Sequence, residues 1–333
     1  MKIVLVCMQY DYGIPQRGLS YEYVNFYNVL VSMGHEVILF DYMTNTTALG
    51  KVGMNQKLLG LVQDARPEMT LFSLYTDQFD AKTVIQLRAF TKTVCFFHDD
   101  TWRVEFSRFW AEKFDYFTTP DVYGEYKYQR LGLINAIHFP FGCNPSVFQK
   151  LETDKTVDVS FVGAWHPYRA WLVDGLKKAG FQVETHGFRW PTGSLAYDEM
   201  VSLFNRSKIN LNMSNSTSRD IGYLTSSPRA LLNSIRSPKF IEQLKARHFE
   251  ISSCGAFQLS YYVEGLERQY RIGDEIGIYV DRSDLIKKVA FYLENEALRE
   301  RIASNAYERS LADHSFERRF DYVFSRMGLT HVM

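Results

Sequence analysis

The chain has 333 residues, 46% of them hydrophobic and 15% aromatic, enough for two domains with separate cores and too apolar for a disordered segment. Its 38 basic and 38 acidic residues cancel to zero formal charge without a basic stripe, which excludes the usual electrostatic footprint of a nucleic-acid binder. No stretch approaches the ~18 consecutive apolar residues that cross a bilayer, so no integral membrane segment is expected.

Residues 3–8 form an unbroken apolar run, too short for the core of a secretion signal and suited to a parallel strand covered on both faces. A loop over residues 10–18, hinged at Gly13, leads into a helical pattern through Tyr23, Phe26, Tyr27, Leu30 and Val31. Gly34 closes that helix and residues 36–40 begin the next strand. Further strands are predicted over 69–74, 93–97, 116–118 and 136–139, with helices over 81–90, 106–114 and 123–131. Strand and helix in alternation predict βαβ units and a parallel sheet. Cys7, Cys95 and Cys254 lie in apolar surroundings, and with Cys143 they form no Cys-x-x-Cys pair. Buried free thiols in a reducing, cytoplasmic setting are therefore expected.

Pro140, Gly142 and Pro145 interrupt an apolar run and mark an interdomain connection. The alternation then restarts, with strands over 157–162, 181–184 and 208–211 and helices over 169–178 and 197–205. Residues 212–237, rich in Ser, Asn, Thr and Arg, read as a long loop. Strands over 256–260 and 276–279, helices over 283–295 and 297–310, and a last helical pattern over 311–328 complete the chain.

The densest polar cluster is residues 243–255, Gln-Leu-Lys-Ala-Arg-His-Phe-Glu-Ile-Ser-Ser-Cys-Gly. Lys245 and Arg247 suit a diphosphate, Arg by its planar fork and Lys as a compact charge. Glu250 suits a ribose diol, and Gly255 lets backbone approach a ligand. The plain alternatives are a solvated helix face for the cations and an exposed first-turn position for Glu250. Gly163 ends the strand 157–162, where a turn into a helix can cradle phosphate, with Arg169 within reach. In the first half, His98, Asp99 and Asp100 stand where a buried strand gives way to a loop, the end at which open α/β sheets bind ligands. His98 can bond a sugar hydroxyl or move a proton, and Asp99 or Asp100 can accept one. The alternative for Asp100 is a cap on the next helix.

The run 243–255 resembles the donor-binding motif of GT-B glycosyltransferases, and its pattern Gln-x-Lys-x-Arg-x-Phe-Glu-Ile is similar to the CgeB-like, spore-maturation-protein-like branch. The resemblance extends to Phe161-x-Gly163 with Arg169, to the Phe97-His98-Asp99-Asp100 run, and to Pro140-x-Gly142-x-Asn144 ending at Phe148. It is strongest over residues 157–319. It implies an α/β protein of two Rossmann-like, doubly wound domains: an acceptor domain over 1–149, a donor domain over 150–312, and a C-terminal helix over 313–333 crossing back to the first domain. It implies transfer of a sugar from a nucleoside-diphosphate sugar to an acceptor, a glycan, protein or small molecule, with no cofactor beyond that donor. The diphosphate would rest on Lys245, Arg247, Arg169 and the Gly163 turn, the ribose on Glu250, and the base beside Gly187 and Phe188 or Trp190. A basic pair would stabilise the departing diphosphate in place of a metal. Glu242, eight positions before Glu250, reproduces the Glu-x7-Glu spacing of a large retaining family, which implies retention. The Asp-x-Asp, P-loop, Gly-x-Gly-x-x-Gly and zinc-site patterns are absent. The remaining alternatives are a nucleotide-sugar hydrolase or epimerase on this fold, with water activated near Asp99 or Asp100, and a non-catalytic coat or scaffold protein. Residues 220–237 make a longer insertion than the CgeB-like pattern requires.

Overall fold

The apolar runs assemble into two parallel sheets, one in each of two units. The structure is a computed structural model, and it describes residues 1–214, 220–237, 239 and 241–329.

The first unit holds Met1–Pro140 and the chain's end from Phe316. In chain order it contains β1 (Lys2–Cys7), α1 (Asn28–Ser32), β2 (Glu36–Asp41), α2 (Tyr42–Ala65), β3 (Met69–Ser73), α3 (Ala81–Leu87), β4 (Lys92–Phe96), α4 (Val104–Ala111), β5 (Tyr116–Thr119), α5 (Gly124–Gln129) and β6 (Ala136–His138). The six strands are ordered β2-β1-β3-β4-β5-β6 and pair in parallel throughout. Val4 and Val6 of β1 face a core that includes Met54, Leu58 and Val62 of α2. Ile3 and Leu5, pointing the other way, are equally buried, which accounts for the continuous apolar run. Helix α2 answers to no apolar period in the sequence, and Gly50 breaks it internally at φ +68°. Asp41 starts it by accepting from the Met43 and Thr44 amides.

The second unit, Phe141–Ser315, contains β7 (Val157–Val162), α6 (Pro167–Lys178), β8 (Val183–His186), α7 (Tyr197–Arg206), β9 (Ser207–Asn212), α8 (Ile221–Leu224), α9 (Pro228–Arg236), α10 (Arg247–Ser253), β10 (Gln258–Tyr261), α11 (Leu266–Gln269), β11 (Gly277–Tyr279), α12 (Arg282–Glu294) and α13 (Glu296–Asp313). Its sheet is parallel in the order β11-β10-β9-β7-β8. The stretch expected as a loop over 212–237 carries α8 and α9 instead; its residues 215–219 lie outside the described ones. The polar composition that suggested a loop partly supplies caps: Asp220 accepts from the Gly222 amide at 2.9 Å, and Ser227 from Ala230 at 3.1 Å.

The chain passes between the units at Pro140, ahead of the expected division after residue 149. The reason is Phe148, which is fully buried with Met200, Phe204, Ile251 and Cys254 of the second unit. The Cys143 amide likewise donates to the His314 carbonyl, so the chain returns to the first unit only with α14 (Phe316–Arg326). There Phe316 and Phe320 lie 5.3 and 5.4 Å from Phe26, and Lys92 donates to the Met327 carbonyl. All four cysteines are buried and free. No described helix is long and apolar enough to cross a membrane.

Candidate functional site

In both sheets the strand order reverses once beside the first strand of the unit, between β1 and β3 and between β7 and β9. The carboxyl ends at such reversals open into the crevice where α/β proteins bind ligands.

At the second reversal, Arg169 spans the gap. From the first turn of α6 its Nε donates to the Met213 and Ser214 carbonyls at 3.1 and 3.0 Å, and its Nη2 to Met213 at 2.6 Å. Its Nη1 donates to the Ala164 carbonyl at 2.8 Å, so one guanidinium ties the end of β9 to the turn after β7. Burial, offset by Tyr279 and Glu242 and reinforced by Arg247, brings it down to about 10, still cationic at neutral pH. Arg247, in α10, reaches the same turn, its Nε donating to the Val162 carbonyl at 3.3 Å while Nη1 pairs with Glu250. His166 caps α6 by accepting from the Tyr168 amide. Burial first, then the Arg169 and Lys239 charges, hold its imidazole down to about 4, so it is neutral at pH 7. The turn after β7 therefore joins two guanidinium groups to the N-terminus of a twelve-residue helix, an arrangement that attracts anions.

Glu250 stands in the first turn of α10 but is 1% exposed, so it is no surface carboxylate. Burial raises its pKa and Arg247 opposes that rise. Glu242 precedes α10 and acts electrostatically on Arg169 and Tyr279. The Lys245 ammonium lies 5.7 Å from the Phe141 ring centre. Gly255 adopts φ +60° at the end of α10, where its amide donates to the Ser252 carbonyl. The structure thus gives this glycine a helix-ending task. Gly187 has φ +136° and packs its backbone on Gly163. In the same loop Trp190 turns inward, donating Nε1–H to the Gly163 carbonyl at 2.9 Å and joining the core, whereas Phe188 is exposed.

The first unit gathers its own cluster. His98 Nε2 lies 2.8 Å from Glu22 Oε1 and 2.8 Å from Ser73 Oγ. Asp99 is half-buried, and its carbonyl accepts from the Arg103 amide at 3.0 Å. Asp100 does not cap α4, whose N-cap is Arg103. Its side chain is buried and accepts from the Tyr128 hydroxyl at 3.2 Å. Gly13 sits at φ +72° with a β-carbon position 2.8 Å from Met43 Cβ, so the loop over 10–18 needs glycine there. Among the described residues no group of three or more His, Cys, Asp or Glu side chains is placed to hold a metal ion.

Residues 169–325 match the family model described as glycosyl transferase-like. This stretch, a little under half of the chain, is similar to glycosyl transferase-like domains. It begins on Arg169 and contains Glu242, Lys245, Arg247 and Glu250. Sucrose-phosphate synthase from Thermosynechococcus elongatus is similar at a TM-score of 0.68 and 11% identity, over 98% of this chain and 99% of that one. A glycosyltransferase from Rickettsia africae ESF-5 is similar at 0.65 and 10%, over 100% and 99%. HepE from Anabaena, in complex with UDP and glucose, is similar at 0.61 and 12%, over 99% of each chain. At these identities the likeness is one of fold, the two parallel α/β sheets of GT-B glycosyltransferases. The sequence matches no curated protein.

Outside the matched stretch, Glu22 and Ser73 escaped the sequence reading. Neither sits in a motif, and only the pairing of β3 with β1 and β4 brings them to His98.

Proposed function

We propose that the protein is a glycosyltransferase of the CgeB-like branch, moving a sugar from a nucleoside-diphosphate sugar to an acceptor hydroxyl. The observation that carries this reading is the convergence of Arg169 and Arg247 on the turn after β7, at the N-terminus of α6. Two fixed cations and the positive end of the α6 dipole match a diphosphate in the ground state and the greater charge on it as the glycosidic bond breaks. Cations in this place make a divalent metal unnecessary. Arg247 fixes the Glu250 carboxylate, as recognition of a ribose diol requires, and the exposed Phe188 offers a face for the base. HepE, with UDP and glucose bound, supports a nucleotide-sugar donor by analogy of fold. In the first unit His98 and Asp99 serve the acceptor side, Asp99 being better exposed than Asp100. The Glu242 and Glu250 spacing favours retention at the anomeric carbon. The uncharged surface balance and buried thiols fit a cytoplasmic enzyme.

Calorimetric titration with UDP, GDP, ADP and their sugar conjugates tests the reading. Micromolar binding of at least one diphosphate, weakened about tenfold or more in Arg169→Met, is expected, since a charge-assisted bond is worth roughly 1.5–3 kcal/mol. Absence of binding across the panel would remove the donor site. NMR of the product's anomeric configuration decides retention.

A further inference from the structure

Helix α9 reverses the usual polarity of a helix on a globular unit, whose apolar stripe turns inward. At 3.6 residues per turn, Leu231, Leu232 and Ile235 share one face of this nine-residue helix. That face points to solvent, the three residues being 47, 50 and 66% exposed. The opposite side carries small residues: Ala230, buried in the core of the second unit, and half-buried Ser234. Ile221, which begins the preceding α8, is 75% exposed. Two residues on, Tyr223 is buried, with its ring 5.1 Å from Tyr168 and 5.5 Å from Trp171. The two short helices are thus anchored by Tyr223 and Ala230 and leave their larger aliphatic side chains outside.

The charges around this face have one sign. Residues 221–241 hold Arg229, Arg236 and Lys239 and no acidic residue, in a chain whose formal charges cancel overall. Arg229 and Arg236, seven positions apart, run along one edge of the aliphatic face, and both are exposed. Neither makes an ion pair or a side-chain hydrogen bond among the described residues. Asp220, the nearest acid in the sequence, accepts from the Gly222 and Arg282 amides at 2.9 and 3.2 Å. We propose that α9 and Ile221 form a peripheral contact with an anionic lipid bilayer. The aliphatic side chains enter the boundary between headgroups and acyl chains, while Arg229 and Arg236 keep their guanidinium groups at the lipid phosphates. A second copy of the chain fits this face less well, because a twofold contact sets the patch against itself, cation on cation. One short helix holds weakly, so the contact is reversible and salt-sensitive. It needs no spanning helix, and it does not rest on the glycosyltransferase reading.

Flotation of the full chain with vesicles of equal parts phosphatidylglycerol and phosphatidylcholine, against phosphatidylcholine alone, tests the contact. The wild type is expected to float with the anionic vesicles and to bind the neutral ones about 10-fold or more weakly. Arg229→Gln combined with Arg236→Gln should lower binding to the anionic vesicles about 10-fold or more, and added salt should act in the same direction. Leu232→Ser combined with Ile235→Ser should lower it by a similar factor, about 10-fold, with both cations retained, because the aliphatic face supplies the rest of the attraction. All four positions are exposed, so melting temperatures close to wild type are expected. Should the double serine variant unfold, Ile235→Ser alone, at the most exposed of the three aliphatic positions, reads the same loss. A wild type that binds neither vesicle, equal binding to both, or an affinity that either pair of substitutions leaves unchanged overturns the proposal. Sedimentation velocity without lipid reads the competing occupant: a dimer that Leu232→Ser with Ile235→Ser disperses gives the face to a second copy and likewise overturns it. Failure of the glycosyltransferase reading shows separately, as a wild type that binds no nucleotide, and the vesicle result then still decides what covers α9.

Discussion

Gly187 lies so close to Gly163 that a β-carbon at residue 187 would stand 2.2 Å from the Gly163 carbonyl oxygen. The Gly163 amide donates to the His186 carbonyl, and Trp190 Nε1 closes back on the Gly163 carbonyl. Neighbouring strands β7 and β8 thus end in one backbone-to-backbone contact, which sets the position of the turn that Arg169 and Arg247 grip.

Gly187→Ala should therefore be costly, by about 2–4 kcal/mol, because the obstacle is backbone and the φ is one that side chains avoid. Gly255→Ala also meets a positive φ, yet its nearest neighbour is the flexible Lys150 side chain, and about 1 kcal/mol is expected. Urea unfolding of both variants checks the order. Equal losses would mean that the Gly163 contact relaxes freely.

The Arg247 and Glu250 pair predicts an asymmetric pattern. Arg247→Ala leaves a buried carboxylate without its counter-charge, a loss of about 3–5 kcal/mol. Burial raises the folded pKa of Glu250, so the penalty is absent at low pH, where the group is protonated, and grows as pH rises through that value. Adding Glu250→Gln should recover stability in Arg247→Ala without restoring nucleotide affinity. Thermal unfolding at pH 5 and pH 8, with and without nucleotide, measures both effects.

Asp100 supplies a second pH signal. Burial first, then repulsion from Asp121, pushes its carboxyl up to about 7 against the hydrogen bonds of Thr119 and Tyr128 and the Lys127 charge. The folded state then keeps a proton that the unfolded chain releases near pH 4. Its contribution is fully present below that pH, declines above it and is lost as pH passes about 7. Asp100→Asn should flatten the fall in melting temperature between pH 5 and pH 8 and exceed wild type at the upper end. An unchanged pH slope in the variant would place the titrating group elsewhere.

Chelation is expected to be inconsequential. EDTA should leave nucleotide affinity and transfer within about twofold, because Arg169 and Arg247 supply the positive charge that a metal would otherwise bring. A strict requirement for Mg²⁺ or Mn²⁺ would assign the diphosphate a different seat.

Much of this architecture is legible locally. The unbroken apolar runs at residues 3–8 and 157–162 follow from burial on both faces of a parallel sheet, and helix ends such as Gly34 carry their own backbone chemistry. The cation and carboxylate at 247 and 250 are likewise neighbours on one helical turn, so their pairing is a short-range fact. Helix α2 was not legible, since its apolar residues keep no period and its stability comes from β1 and α3 packed against it. Residues 212–237 misled for a related reason: Ser and Asp favour loops and helix caps alike, and only the surrounding packing chooses.

The chemistry of the two strand ends lay further out of reach. Arg169 meets Met213 across 44 residues, Arg247 meets Val162 across 85, and Ser73 meets Glu22 across 51. Residue types at those positions declare which bonds each can make, but not which partners arrive. That choice belongs to the strand order, because hydrogen bonds reach about 3 Å and only the pairing of β7 with β9 and of β1 with β3 brings such distant segments within that range.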